Sequence, residues 1–123
     1  MLIGCDSFEA VLELLSSARA NLNEILSAFE FIDTEAMTSV TAHLHVSNPI
    51  SSSSFYVLLE TSGSNSAHDE QKLKMFLEKV LASGLVHDGT IATVPSKIKV
   101  WLLIIRELSF LFLRGVECSE LGL

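Results

Sequence analysis

Residues 55–65 read Phe55-Tyr56-Val57-Leu58-Leu59-Glu60-Thr61-Ser62-Gly63-Ser64-Asn65. The first five form a continuous apolar run of residues suited to a pleated surface, which predicts a central strand covered on at least one face. The polar remainder is a turn, and Asn65 or the following Ser66 is placed to cap a helix. That helix carries the cleanest stripe in the chain: Leu73, Phe76, Leu77, Val80 and Leu81 recur at helical spacing. Asp69 and Glu70 fall in its first turn, where the helix dipole favours negative charge, and Gly84 supplies a left-handed stop.

Upstream, Met1-Leu2-Ile3-Gly4 predicts a first strand that is incomplete at its start. Asp6 and Glu9 make a capping-box-like pair, and Phe8, Val11, Leu12, Leu15 and Ala18 form the apolar stripe of a helix running to about Asn21. Glu24 to Ile32, with Ile25, Phe29 and Phe31, predicts a second strand. Asp33 or Thr34 then caps a helix with Met37, Val40, Thr41 and Leu44 on one face, ended by Asn48-Pro49. Ser51 to Ser54 is a polar loop. Downstream, Val86 to Ala92 is a weak strand containing the turn signal Asp88-Gly89. A helical pattern restarts at Lys97, with Trp101, Ile104, Ile105, Leu108 and Phe112 on one side. This alternation predicts an α+β fold, a ferredoxin-like antiparallel sheet with helices on one face.

The chain has 123 residues, enough for one domain and one core. Its 49% hydrophobic and 19% charged content excludes global disorder. Eight Lys and Arg against 15 Asp and Glu leave a charge of −7, which speaks against a nucleic-acid scaffold. Cys5 and Cys118 lie near opposite ends, so neither a disulfide framework nor a cysteine zinc site is expected, and a reducing compartment is. Met1 to Cys5 lacks a signal peptide's basic start. The most apolar stretch, Val100 to Leu113, is interrupted by Arg106 and Glu107 and is shorter than the roughly 20 residues of a membrane span. A protein with no membrane span is expected, although the mean hydropathy of +0.45 is high.

Few residues announce chemistry. His43 and His45 are two apart in a helical context, which does not place them on one face, so they read as helix-end residues. His68 and His87 read as surface residues, and no metal-ligand spacing is present. Gly-x-Ser-x-Gly and the phosphate-loop motifs are absent, leaving Gly63 and its serines as a turn. Glu30 and Asp33 are either an acid–base pair or an exposed strand edge plus a helix cap. Arg106, the lone cation of an apolar run beside Glu107, either pairs with an acid or grips a carboxylate ligand.

Glu24 to Asp33, Phe55 to Asn65 with His68-Asp69, Phe76-Leu77-Glu78, and Gly84 to Ala92 resemble the FAD-linked oxidases of the vanillyl-alcohol-oxidase type, in the branch of the D-2-hydroxyglutarate and D-lactate dehydrogenases. The resemblance covers roughly residues 1–100, and its Glu60-Thr61-Ser62-Gly63-Ser64-Asn65 block is specific. It implies that residues 1–100 are part of the C-terminal substrate (cap) domain, an antiparallel sheet with helices. It further implies oxidation of D-2-hydroxyglutarate to 2-oxoglutarate by an FAD-dependent mitochondrial enzyme whose substrate is a small 2-hydroxy acid. FAD would be held mainly by a domain absent from this chain, and the family's downstream metal motif is absent too. The chain is thus expected to be an internal slice, inactive alone, with no catalytic or cofactor-binding residue assigned. The family's Trp-x-x-Arg-Glu motif carries a substrate-gripping arginine. Here four residues separate Trp101 from Arg106, so either Arg106-Glu107 is that pair after an insertion, with Arg106 binding substrate, or residues 101–123 are a divergent apolar tail. The second is favoured because the family pattern does not resume. A free-standing ferredoxin-like module that binds a ligand or dimerises is the alternative, disfavoured by the short first strand.

Overall fold

The computed structural model describes residues 1–92. The helix expected from Lys97, together with Arg106 and the stretch 101–123, lies outside the described residues. Seven elements follow one another: β1 (Leu2–Cys5), α1 (Phe8–Leu22), β2 (Leu26–Asp33), α2 (Thr34–Leu44), β3 (Phe55–Thr61), α3 (Ser66–Ala82) and β4 (Asp88–Thr90). The strands form one sheet in the order β2-β3-β1-β4, each antiparallel to its neighbours. The fold is α+β, a ferredoxin-like β-α-β-β-α-β unit with α2 inserted between β2 and β3.

β3 explains the layering. Its alternate residues point to opposite faces, and Tyr56, Val57, Leu58 and Leu59 are all buried, so both faces need cover. On one side Val57 and Leu59, with Ile3 and Cys5 of β1, meet Val11, Leu14, Ala18 and Leu22 of α1 and Leu73, Phe76 and Val80 of α3. On the other side Tyr56 and Leu58, with Leu2 and Ile32, meet Met37 and Val40 of α2. The helices were expected on one face. Two of them lie there, while α2 covers the opposite face because its apolar stripe matches the second face of β3.

Local details depart from the sequence reading in instructive ways. The short β1 lies between β3 and β4, pairing Leu2 with Leu58 and Thr90, and Gly4 with Tyr56 and Asp88. Ser7, not Asp6, caps α1, its side chain accepting the Ala10 N–H at 3.1 Å. The buried stripe of α1 runs through Leu14 and Leu22, leaving Phe8 and Leu12 exposed; Phe8 packs edge-on to Phe31 at 5.4 Å instead. Asp33 caps α2 as read, accepting the Ala36 N–H at 2.7 Å. That helix ends on His45 in the left-handed region (φ 54°), before Asn48-Pro49 is reached. Asn65 caps α3 by accepting the His68 N–H, and Gly84 takes a φ of 77°. Asp88-Gly89 makes no turn. It pairs with β1, Asp88 opposite Gly4 and Gly89 opposite Ile3, and a Cβ at Gly89 would displace the Leu77 side chain, 2.7 Å from its Cδ1.

Candidate functional site

The antiparallel register brings three chain segments to one corner: the end of β1, the serine loop before β3, and the entry to β4. Asp6 follows Cys5, which pairs with Phe55, and His87 precedes Asp88, which pairs with Gly4. At this corner His87 Nδ1 lies 3.0 Å from Asp6 Oδ1, and His87 Nε2 lies 2.8 Å from Ser53 Oγ. The Ser53 hydroxyl also reaches the Ser51 carbonyl at 3.1 Å. Asp88 accepts the N–H and the hydroxyl of Ser51, both at 2.8 Å, and these two bonds hold its carboxyl below the ordinary range. Beneath them the Tyr56 hydroxyl accepts the Ser53 N–H and the Asn48 amide, both at 2.9 Å. Gly4 is needed because any Cβ there would overlap Ser53 Oγ.

Aspartate, histidine and serine in this order are the parts of an acyl-transfer triad, but the surroundings do not support that chemistry. Acyl transfer needs an open position beside the serine oxygen and donors aimed at a developing oxyanion. Ser53 is 7% exposed with its oxygen packed against Gly4, and Asp6 and Asp88 bring negative charge to the corner. The array is a clasp that ties β4 to β1 and to the serine loop. His87 is a surface residue as read, but its partners were not read. They stand 81 and 34 positions away, and a register is needed to bring them together.

The remaining candidates stay apart. Glu30 and Asp33 are separated by an odd number of strand positions and so leave β2 on opposite faces, with Asp33 committed to its cap. Among the described residues no three His, Cys, Asp or Glu side chains gather to hold a metal ion. Cys5 is fully buried, and burial, reinforced by Asp6, pushes its thiol up to about 11, far from a reactive thiolate. No helix among the described residues is long and apolar enough to cross a membrane.

A groove of about 500 Å³ opens between the end of α1 and the outer side of α3, lined by Asn21, His68, Gln71, Lys72, Met75, Phe76 and Lys79. Lys79 Nζ donates to Asn21 Oδ1 at 3.3 Å, and Lys72 pairs with Glu24 at the rim. Sequence reading missed it because its lining is the polar side of α3.

Residues 1–118 match the family of FAD linked oxidases, C-terminal domain. The chain belongs to that family. Among curated proteins it is 51% identical over 102 residues to the mitochondrial D-2-hydroxyglutarate dehydrogenase of Danio rerio and 52% identical over 102 residues to that of Rattus norvegicus. Each match takes 82% of this chain and 19% of the relative. The D-2-hydroxyglutarate–pyruvate transhydrogenase of Saccharomyces cerevisiae is 41% identical over 91 residues, 72% of this chain and 18% of that protein. The chain thus spans about a fifth of the length of these relatives. In this FAD-linked oxidase C-terminal domain the Gly63 turn is not a cradle for a flavin diphosphate. The Gly63 turn closes directly onto the carboxylate of Asp69, which is 8% exposed, whereas a phosphate needs N–H donors or a cation there.

Proposed function

We propose that this domain is part of the substrate (cap) domain of a mitochondrial FAD-dependent D-2-hydroxyglutarate dehydrogenase, which oxidises D-2-hydroxyglutarate to 2-oxoglutarate. The observation that carries the reading is the identity of 51% and 52% over 102 residues to two vertebrate enzymes of that name. Such an oxidation removes a hydride from C2 and a proton from the hydroxyl, and the family's flavin supplies the hydride acceptor. The chain spans 19% of each of these relatives, which supports a flavin held mainly by the remaining part, so the chain by itself, given FAD, turns over no substrate.

The test is a chimera in which this chain replaces the matching segment of the Danio rerio enzyme. Retained flavin and oxidation of D-2-hydroxyglutarate in preference to D-lactate support the reading; a folded, flavin-loaded chimera preferring D-lactate overturns it. Dehydrogenase activity of the chain alone with added FAD overturns the proposed division of labour. In the same chimera Arg106→Lys distinguishes the two readings of that arginine. A raised KM with kcat kept assigns it to a substrate carboxylate, and unchanged kinetics place it in a divergent tail over residues 101–123.

A further inference from the structure

We infer that the groove between α1 and α3 docks an acidic amphipathic helix of a partner protein. The charge distribution carries this. Residues 1–92 hold twelve Asp and Glu but only four Lys and Arg, namely Arg19, Lys72, Lys74 and Lys79. Three of those four sit on α3 and two of them line the groove, where Lys72 is paired with Glu24 at the rim and Lys79 bonds only the neutral Asn21. Among the described residues, which sum to −8, most of the positive charge thus lies along α3 and half of it at one concave place, which favours a partner of opposite sign.

The shape selects a helix. His68, Gln71, Lys72, Met75, Phe76 and Lys79 are a single stripe of α3, about 16 Å long at 1.5 Å per residue, the length of about three helical turns. Met75 is 63% exposed beside buried Phe76, an apolar seat between polar ends. Lys79 spends one of its three N–H donors on Asn21 and keeps two for a carboxylate. An incoming helix sets one large apolar side chain on Met75 and a flanking carboxylate toward Lys79, with its other end against His68 and the Lys72–Glu24 pair, the helix-in-groove mode of recognition.

The experiment uses the ¹⁵N-labelled full chain and a synthetic helix-forming peptide of about 15 residues with leucines on one face and glutamates beside them. Saturable amide shifts centred on Asn21 and residues 68–79 are expected, weakening severalfold between about 20 and about 200 mM salt as screening sets in. Lys79→Glu is expected to weaken binding roughly fivefold or more, the loss of about one exposed ion contact plus its reversal. Lys74→Glu is the control, since Lys74 points elsewhere, 3.3 Å from Glu70. Equal loss in the two variants, equal binding of a peptide carrying lysines in place of the glutamates, or no saturable shift overturns the proposal. So does a groove perturbed by concentration alone, which would make the occupant a second copy of this chain. Each variant's amide spectrum reports its own folding.

Discussion

Acetylating the α-amine of Met1, in a chain that begins there with a free amine, is expected to stabilise the fold in acid and leave it unchanged in base. Met1 is only 6% exposed, and its ammonium donates to the Leu59 carbonyl at 2.8 Å while the Leu59 N–H donates back at 2.8 Å. Burial lowers the amine from 8.0 to about 6, with Glu60 pulling weakly the other way. A base whose folded pKa lies below its unfolded value binds more protons when unfolded, so stability rises with pH through that window. The contribution is complete above the unfolded value of 8.0 and is lost as pH falls to about 6. Two units at about 1.36 kcal/mol each give roughly 2.7 kcal/mol, about half of it already lost at pH 7. The acetylated nitrogen keeps one N–H for Leu59 and loses the charge. Urea unfolding of both forms from about pH 5 to about pH 9 isolates the effect, because every histidine and carboxylate titrates in both and cancels in the difference. The acetylated form should gain roughly 2.7 kcal/mol on the free form between the basic and acidic limits. A difference flat across the range would refute the reasoning and show the β1–β3 pair open to water at its first residue.

Three further perturbations probe the corner and the tail. Gly4→Ala drives a Cβ into Ser53 Oγ and should cost about 1–3 kcal/mol in urea unfolding, most of it recovered in the Gly4→Ala, Ser53→Gly double variant; no recovery would mean that the strain lies elsewhere. Tyr56→Phe leaves the buried Ser53 N–H without its acceptor and should cost about 1–3 kcal/mol, and a neutral effect would show that water reaches that N–H. Ending the chain at Lys99 should reduce light scattering, since Leu102 to Leu113 would be apolar on every side of a helix; a monodisperse full chain beside an aggregating short one would make the tail a folded part of the domain.

The elements were legible because each rests on local chemistry. The apolar run of β3, the caps at Asp33 and Asn65, the stripe of α3 and the stop at Gly84 all act within a few residues. Errors arose where a local signal met tertiary demand. Asp88-Gly89 has the composition of a tight turn, yet it pairs with Gly4 and Ile3 of β1, partners no short window contains. Phe8 and Leu12 satisfy a helical period as well as Leu14 and Leu22 do, and only the position of the sheet decides which stripe is buried.

The clasp at the corner was illegible for a deeper reason. Asp6, Ser53 and His87 share no spacing, and each is ordinary in its own segment. They meet because β1 pairs on both sides, with Cys5 opposite Phe55 and Gly4 opposite Asp88, so the end of one strand and the beginnings of two others fall at one edge. A slip of one residue in either pairing would turn β1 over, sending Ile3 and Cys5 away from α1 and α3 and Leu2 away from α2. The burial of these three side chains on their proper faces therefore sets the register, and the register assembles the clasp. The same dependence explains the serine loop. Ser51 and Ser53 are held by Asp88 and His87 across the sheet, so the path from α2 back to β3 is fixed by side chains more than thirty residues downstream.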